Sequence, residues 1–123
     1  GAMNMPGPIL PAWLVEHPLL LRRKGSASRD LLEERLSALG LRPQPWLESS
    51  SNSALLAAAR EGLGIAVLPE AIVGSDLAAG RLREVTVEGL DLSRRWFAVR
   101  RQDRKFSPAQ KAAYDLLFSL SCP

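Results

Sequence analysis

The sequence predicts an α/β fold in which a mostly parallel sheet is covered by helices on both faces. Three observations carry that prediction. Ile65-Ala66-Val67-Leu68 is an unbroken apolar run, as expected of a short strand buried on both faces. Gly62 precedes it and Pro69-Glu70 follows it, a helix stop and a helix start around one strand. Further short apolar runs alternate with helically spaced segments, and the alternation reads βαβαβαβ, then β, then α.

The elements follow in chain order. Gly1-Ala2-Met3 has the form of a remnant left by a protease site of an expression vector. Residues 1–17 are therefore expected to be that scar and an extended lead-in. Pro6, Pro8 and Pro11 favour extended backbone, with one helical turn over Pro11 to Glu16. Leu19 to Arg22 is the first strand. After the small-residue turn Gly25 to Ser28, a helix is expected from Arg29 to Leu39. Its buried face would hold Leu31, Leu32, Leu36 and Leu39, with Gly40 as the stop. Pro45 to Glu48 is the second strand. Ser49 to Ser53 is a polar turn in which Ser51 or Asn52 can cap a helix running to Glu61. Its alanines permit close packing on a sheet. Ile65 to Leu68 is the third strand, Glu70 to Ala79 a helix closed by Gly80, and Arg83 to Val87 a fourth strand. Trp96 to Arg101 is a fifth strand. A last helix opens at Ser107-Pro108-Ala109-Gln110 and buries Ala113, Leu116, Leu117 and Leu120.

Composition excludes several classes of function. The chain has 123 residues, 46% of them hydrophobic and 24% charged, the profile of one ordinary globular domain or a piece of one. No apolar run reaches the roughly 20 residues of a membrane span. The single cysteine, Cys122, allows no internal disulfide, which fits a reducing compartment. One histidine, His17, and one terminal cysteine make a poor basis for zinc or for a Cys–His nucleophile. His17 reads as a surface residue. No G-x-G-x-x-G, P-loop or nucleophile elbow is present. Gly62-Leu63-Gly64 precedes a strand, whereas a dinucleotide loop follows one. Residues 94–111 carry Arg94, Arg95, Arg100, Arg101, Arg104, Lys105 and Lys111 against Asp103. Such a run could touch nucleic acid, but without interleaved aromatics it reads as a solvated strand edge and loop.

Several segments resemble the LysR-type transcriptional regulators. Leu19-Leu20-Leu21-Arg22-Arg23-Lys24-Gly25-Ser26-Ala27-Ser28-Arg29 resembles the strand and turn that open the second subdomain of that family's effector-binding domain. Ala59 to Pro69 resembles its most recognisable segment. Leu77 to Leu82, Trp96 to Arg101 and Ser107-Pro108-Ala109 match later features in the right order. The resemblance covers roughly 18–120. It implies a Rossmann-like three-layer half of a type II periplasmic-binding-protein fold, with one antiparallel strand in a mostly parallel sheet. Residues 18–90 would be the second effector subdomain, and 91–123 the crossover strand and C-terminal helix. The winged helix-turn-helix, most of the first subdomain and the first crossover strand would be absent. That crossover strand would have supplied the antiparallel place in this sheet.

The resemblance also implies a strand order of 2-1-3, with a ligand crevice at the switch point. The turn after the first strand supplies Ser26, Ala27 and Ser28. That after the second supplies Ser50, Ser51 and Asn52, and that after the third Pro69 and Glu70. Helix N-termini and hydroxyls aimed at one crevice suit a carboxylate or similar anion. Ser28, Ser51 and Asn52 have the equally ordinary role of helix caps. The expected function is small-molecule sensing by a cytoplasmic bacterial regulator. No catalytic residue, cofactor or metal is expected, and DNA would be reached only through the missing N-terminal domain. Trp96, Phe97, Leu116, Leu117 and Leu120 would lose their partners with the first subdomain. The last strand or helix is then expected to fold back, or to pair with a second copy as a dimer, the full-length regulator being a tetramer. Half of a periplasmic solute-binding protein, or a flavodoxin-like enzyme, are the other readings.

Overall fold

A computed structural model describes residues 7–102. The elements are α1 (Pro11–Glu16), β1 (Leu19–Arg22), α2 (Ala27–Ser37), β2 (Pro45–Ser49), α3 (Asn52–Arg60), β3 (Ile65–Pro69), α4 (Glu70–Ala78), β4 (Leu82–Glu84) and β5 (Trp96–Arg101). The helix expected from Pro108, with Leu116, Leu117 and Leu120, lies outside the described residues, as does Cys122. Among the described residues, no helix is long and apolar enough to cross a membrane.

The five strands form one sheet in the order β2-β1-β3-β5-β4. β1 pairs in parallel with β2 and β3, which is the expected 2-1-3 core. β5 runs antiparallel to β3 and to β4. β4 therefore points the same way as β1, β2 and β3 but does not touch β3, and four contiguous parallel strands are not formed. The one antiparallel strand expected in a mostly parallel sheet is present, and it is Trp96 to Arg101 of this chain. Trp96 and Phe97 are accordingly half-buried against the cores on the two faces, not left without partners. β4 is also shorter than expected. Val87 leaves it to form an isolated parallel bridge with Ile9, which ties the lead-in to the domain.

Two cores flank the sheet. On one face Leu19, Leu21, Ile65, Val67 and Ala98 meet Leu14 of α1 and Leu32 and Leu36 of α2. On the other, Leu20, Ala66, Leu68 and Val99 meet Leu55, Ala58 and Ala59 of α3 and Val73 of α4. The alternation along β1 and β3 is that of strands with both faces covered. Ala58 and Ala59 let α3 sit close to the sheet, as the alanine content suggested. Leu39, assigned to the buried face of α2, is 47% exposed because α2 ends two residues earlier. His17 is buried, not superficial: its Nδ1 hydrogen-bonds the carbonyl of Trp13 at the end of α1. Burial holds its pKa below the usual value. The basic run is not uniformly solvated either, since Arg94 and Arg95 are exposed while Arg100 is buried in β5.

The segment around β3 shows how local chemistry builds the sheet edge. Gly62 has φ +76°, a left-handed conformation that a side chain resists. The Gly62 and Leu63 amides bond back to the carbonyls of Ala59 and Ala58 at 3.0 and 3.1 Å, closing α3 in a Schellman motif. Gly64 then passes the backbone of Pro18 so closely that a Cβ would overlap the Pro18 carbonyl. This approach lets Ile65 donate to Pro18 at 2.9 Å and starts the β1–β3 pairing.

Candidate functional site

Because β1, β2 and β3 are parallel and adjacent, their carboxyl ends lie along one edge of the sheet. Arg22 stands opposite Ser49 in the β1–β2 register. The helices α2, α3 and α4 each begin within a few residues of those ends. Three helix N-termini therefore face the same edge, where an anion is favoured by free N–H groups and the helix dipoles.

The predicted residues occupy this edge in different ways. Ser26 is the N-cap of α2, its Oγ accepting from the Arg29 amide at 3.4 Å. Ala27 is exposed in the first turn, while Ser28 is buried at 6% exposure. Ser51, not Asn52, caps α3, and its Oγ accepts from the Ala54 amide at 3.2 Å. Ser50 is exposed beside it. Asn52 turns its Oδ1 to Arg22, whose Nη1 donates to it at 3.1 Å. Pro69 is the N-cap of α4 with no capping side chain, which leaves that helix start without a side-chain acceptor. Glu70 is exposed in the first turn, where its negative charge complements the dipole.

Two arginines that sequence reasoning passed over hold this edge together. Arg29, only 3% exposed, reaches from α2 to the carbonyl of Arg22 at the end of β1 (2.9 Å) and to Glu48 of β2 (2.9 Å), and also pairs with Glu33 (3.2 Å). Arg22 links β1 to α3 through Asn52. The carboxyl end of β1 is thus tied to both flanking turns, through its carbonyl on one side and its side chain on the other. The signal in the sequence was the paired arginines on either side of the small-residue turn, Arg22 and Arg29. In the sequence they stand only as the last residue of a strand and the first of a helix.

Two grooves lie beside this edge more than on it. A cleft of about 470 Å³ runs from Glu70 past Glu84, Arg94, Trp96 and Phe97. Glu70 is the predicted residue that it shares. An open groove of about 700 Å³ separates α2 from β2 and is lined by Lys24, Arg29, Arg42 and Glu48. Farther away, Asp76 of α4 is fully buried and accepts from Arg60 Nε and Nη2 (3.0 and 2.8 Å) and from Arg81 Nε (2.6 Å). The Arg60 hydrogen bonds, then those from Arg81, hold its carboxyl below the usual carboxylate pKa against the effect of burial. This cluster fastens α3 and α4 together and is structural. Among the described residues, no three His, Cys, Asp or Glu side chains are grouped to hold a metal.

Comparison with known proteins gives the same fold. The chain is 38% identical over 110 residues to the HTH-type transcriptional regulator CbbR of Xanthobacter flavus, a match covering 89% of this chain and 33% of that protein. It is 34% identical over 113 residues to the RuBisCO operon transcriptional regulator of Acidithiobacillus ferrooxidans, covering 92% and 37%. The chain thus spans about a third of the length of the curated relatives it matches. Among solved structures, the Synechocystis PCC6803 CcmR regulatory domain in complex with 2-PG superposes with a TM-score of 0.63 at 23% identity, over 97% of this chain and 59% of that one. The effector binding domain of QuiR in complex with shikimate gives 0.58 at 16% identity, over 96% and 57%. The family model for the LysR substrate binding domain matches residues 4–120. With the sheet order, the three converging helix starts and this match in place, the chain belongs to the LysR substrate-binding-domain family.

Proposed function

We propose that this chain supplies one wall of the effector crevice of a LysR-type transcriptional regulator and that its ligand is a small anion. The single observation that carries the reading is the convergence of α2, α3 and α4 N-termini on the carboxyl ends of β1, β2 and β3. A carboxylate or phosphate there gains from N–H donors and helix dipoles at once, with no acid–base pair required. The residues offered to it are Ser26, Ala27, Ser28, Ser50, Ser51, Asn52, Pro69 and Glu70. Two structural neighbours support a small-molecule ligand: one was solved with 2-PG and the other with shikimate.

The work done is binding, not catalysis. A ligand bridging this wall and an opposing subdomain would shift the population of their relative orientations, and DNA-reading parts elsewhere in the regulator would respond. The setting is the bacterial cytoplasm. Self-association is a second part of the proposal: a dimer for this chain and a tetramer for the whole regulator. β2 ends the sheet with Trp46 42% exposed on it, an edge open to a neighbour. A clean monomer mass by light scattering removes that part.

The test of the main proposal is calorimetry on this chain and on a full-length regulator containing it. An effector of the intact protein binds this chain weakly or not at all. Equal affinity for the two overturns the shared-crevice reading. Ser26→Ala combined with Ser28→Ala in the intact regulator weakens the effector response while DNA binding persists. Loss of folding in that variant leaves these serines a structural role only.

A further inference from the structure

Arg22 carries an observation that its structural role does not explain. Its Nε is buried and has no acceptor among the described residues. The side chain's hydrogen bond leaves from Nη1, to Asn52 Oδ1 at 3.1 Å. A buried N–H without a partner is costly and uncommon in a native fold. A guanidinium held at Nη1 keeps its other edge, Nε–H with Nη2–H, in the fork that fits two oxygens of a carboxylate or phosphate. The same fork is filled elsewhere in this chain, where Arg60 grips Asp76 through Nε and Nη2.

The position of Arg22 places that unfilled fork at the carboxyl edge of the sheet. It is the last residue of β1, the central strand of the 2-1-3 core. Arg29 fixes its carbonyl and Asn52 fixes one end of its guanidinium, so the group is held before any ligand arrives. Such prior ordering reduces the entropy lost on binding. Exposed Arg23 and Lys24 follow directly and add long-range positive potential.

We infer that Arg22 is the cationic anchor of the crevice, gripping a carboxylate or phosphate through its Nε–Nη2 fork. This rests on the crevice reading above and names the residue that selects anions within it. Asn52 acts through Arg22 as a positioning residue.

The test is the arginine Nε–H region of the ¹H–¹⁵N spectrum of this chain, with the Arg22 resonance assigned by through-bond correlation. Inorganic phosphate and acetate are titrated separately against chloride at constant ionic strength. At least one of the two anions moves the Arg22 Nε–H resonance downfield to saturation, and chloride leaves it in place. The more effective anion tells phosphate from carboxylate. Arg22→Lys, which keeps the charge and loses the fork, weakens the midpoint read from the Ser26 and Ser51 amides by roughly tenfold, the worth of a charge-assisted hydrogen bond. Should those amides saturate while the Arg22 Nε–H stays still, the Arg22 assignment falls and the crevice survives. If neither responds, the Arg22 assignment falls, and the crevice reading stands or falls by the calorimetry above.

Discussion

Gly64→Ala is the sharpest perturbation available, because it adds one methyl group where two backbone segments touch. An added Cβ would meet the Pro18 carbonyl carbon at 3.0 Å and overlap its oxygen more closely still. Neither partner is a flexible side chain, so the strand start must move. Overpacking of this kind costs about 1–3 kcal/mol. The displaced backbone also threatens the 2.9 Å bond from Ile65 to Pro18, and a buried donor left unsatisfied adds about 1–3 kcal/mol. Replacing glycine returns about 0.4–1 kcal/mol by restricting the unfolded chain. The net is a loss of about 3 kcal/mol. At about 4 °C per kcal/mol, the lower end for a domain of this size, Tm falls by roughly 12 °C. Gly74→Ala is the internal control. Gly74 lies in α4, and a Cβ added there would meet no atom within 4 Å. Helix propensity alone then acts, and stability rises by about 0.5–1 kcal/mol. Thermal unfolding followed by circular dichroism compares the two. A Gly64→Ala protein that melts within about 2 °C of the parent would refute the close-approach argument.

Other expectations follow from single contacts. Ser51→Ala removes the cap of α3 and lowers unfolding free energy by about 1 kcal/mol in urea titration, with an unchanged m-value. Asp76→Asn loosens the tie between α3 and α4. Because Arg60 and Arg81 are about half exposed, the cost is roughly 1–2 kcal/mol, less than that of a fully buried pair. Two titrations shape the pH profile. His17 has a lowered folded pKa, so the unfolded state takes up its proton first, and stability declines as pH falls below about 6.5. Asp76 is also lowered, so its contribution is present above the ordinary carboxylate value of 3.8 and is lost as pH falls further. Chemical denaturation of His17→Gln between about pH 7 and 5 should show the first decline flattened.

Much of the fold was legible where local chemistry is decisive. The Gly62 stop, the apolar β3 and the Pro69-Glu70 start specify their elements within a residue. What local pattern does not encode is which strand lies beside which. Trp96 to Arg101 reads correctly as a strand, yet its insertion between β3 and β4 depends on distant pairing. Charged residues were the other blind spot. His17 beside a proline reads as a surface residue, and nothing marks Asp76 in mid-helix, because their partners, the Trp13 carbonyl, Arg60 and Arg81, are brought near by the turn of α1 or by packing. At the crevice the small polar turns were legible as helix starts, whereas Arg22 and Arg29, which fix their spacing, were not.

The place of β5 has a consequence for the order in which the chain can fold. β1, β2 and β3 can pair as soon as residue 69 exists, with α2 and α3 as local crossovers. β4 ends the sheet and meets only β5, which begins twelve residues after β4 ends and must slide in antiparallel between two strands already made. Until then β3 is an open, fully apolar edge, a template for the wrong partner. A nascent or truncated chain that stops near residue 90 should therefore aggregate, and the slow phase of refolding should report on Trp96 as it leaves water.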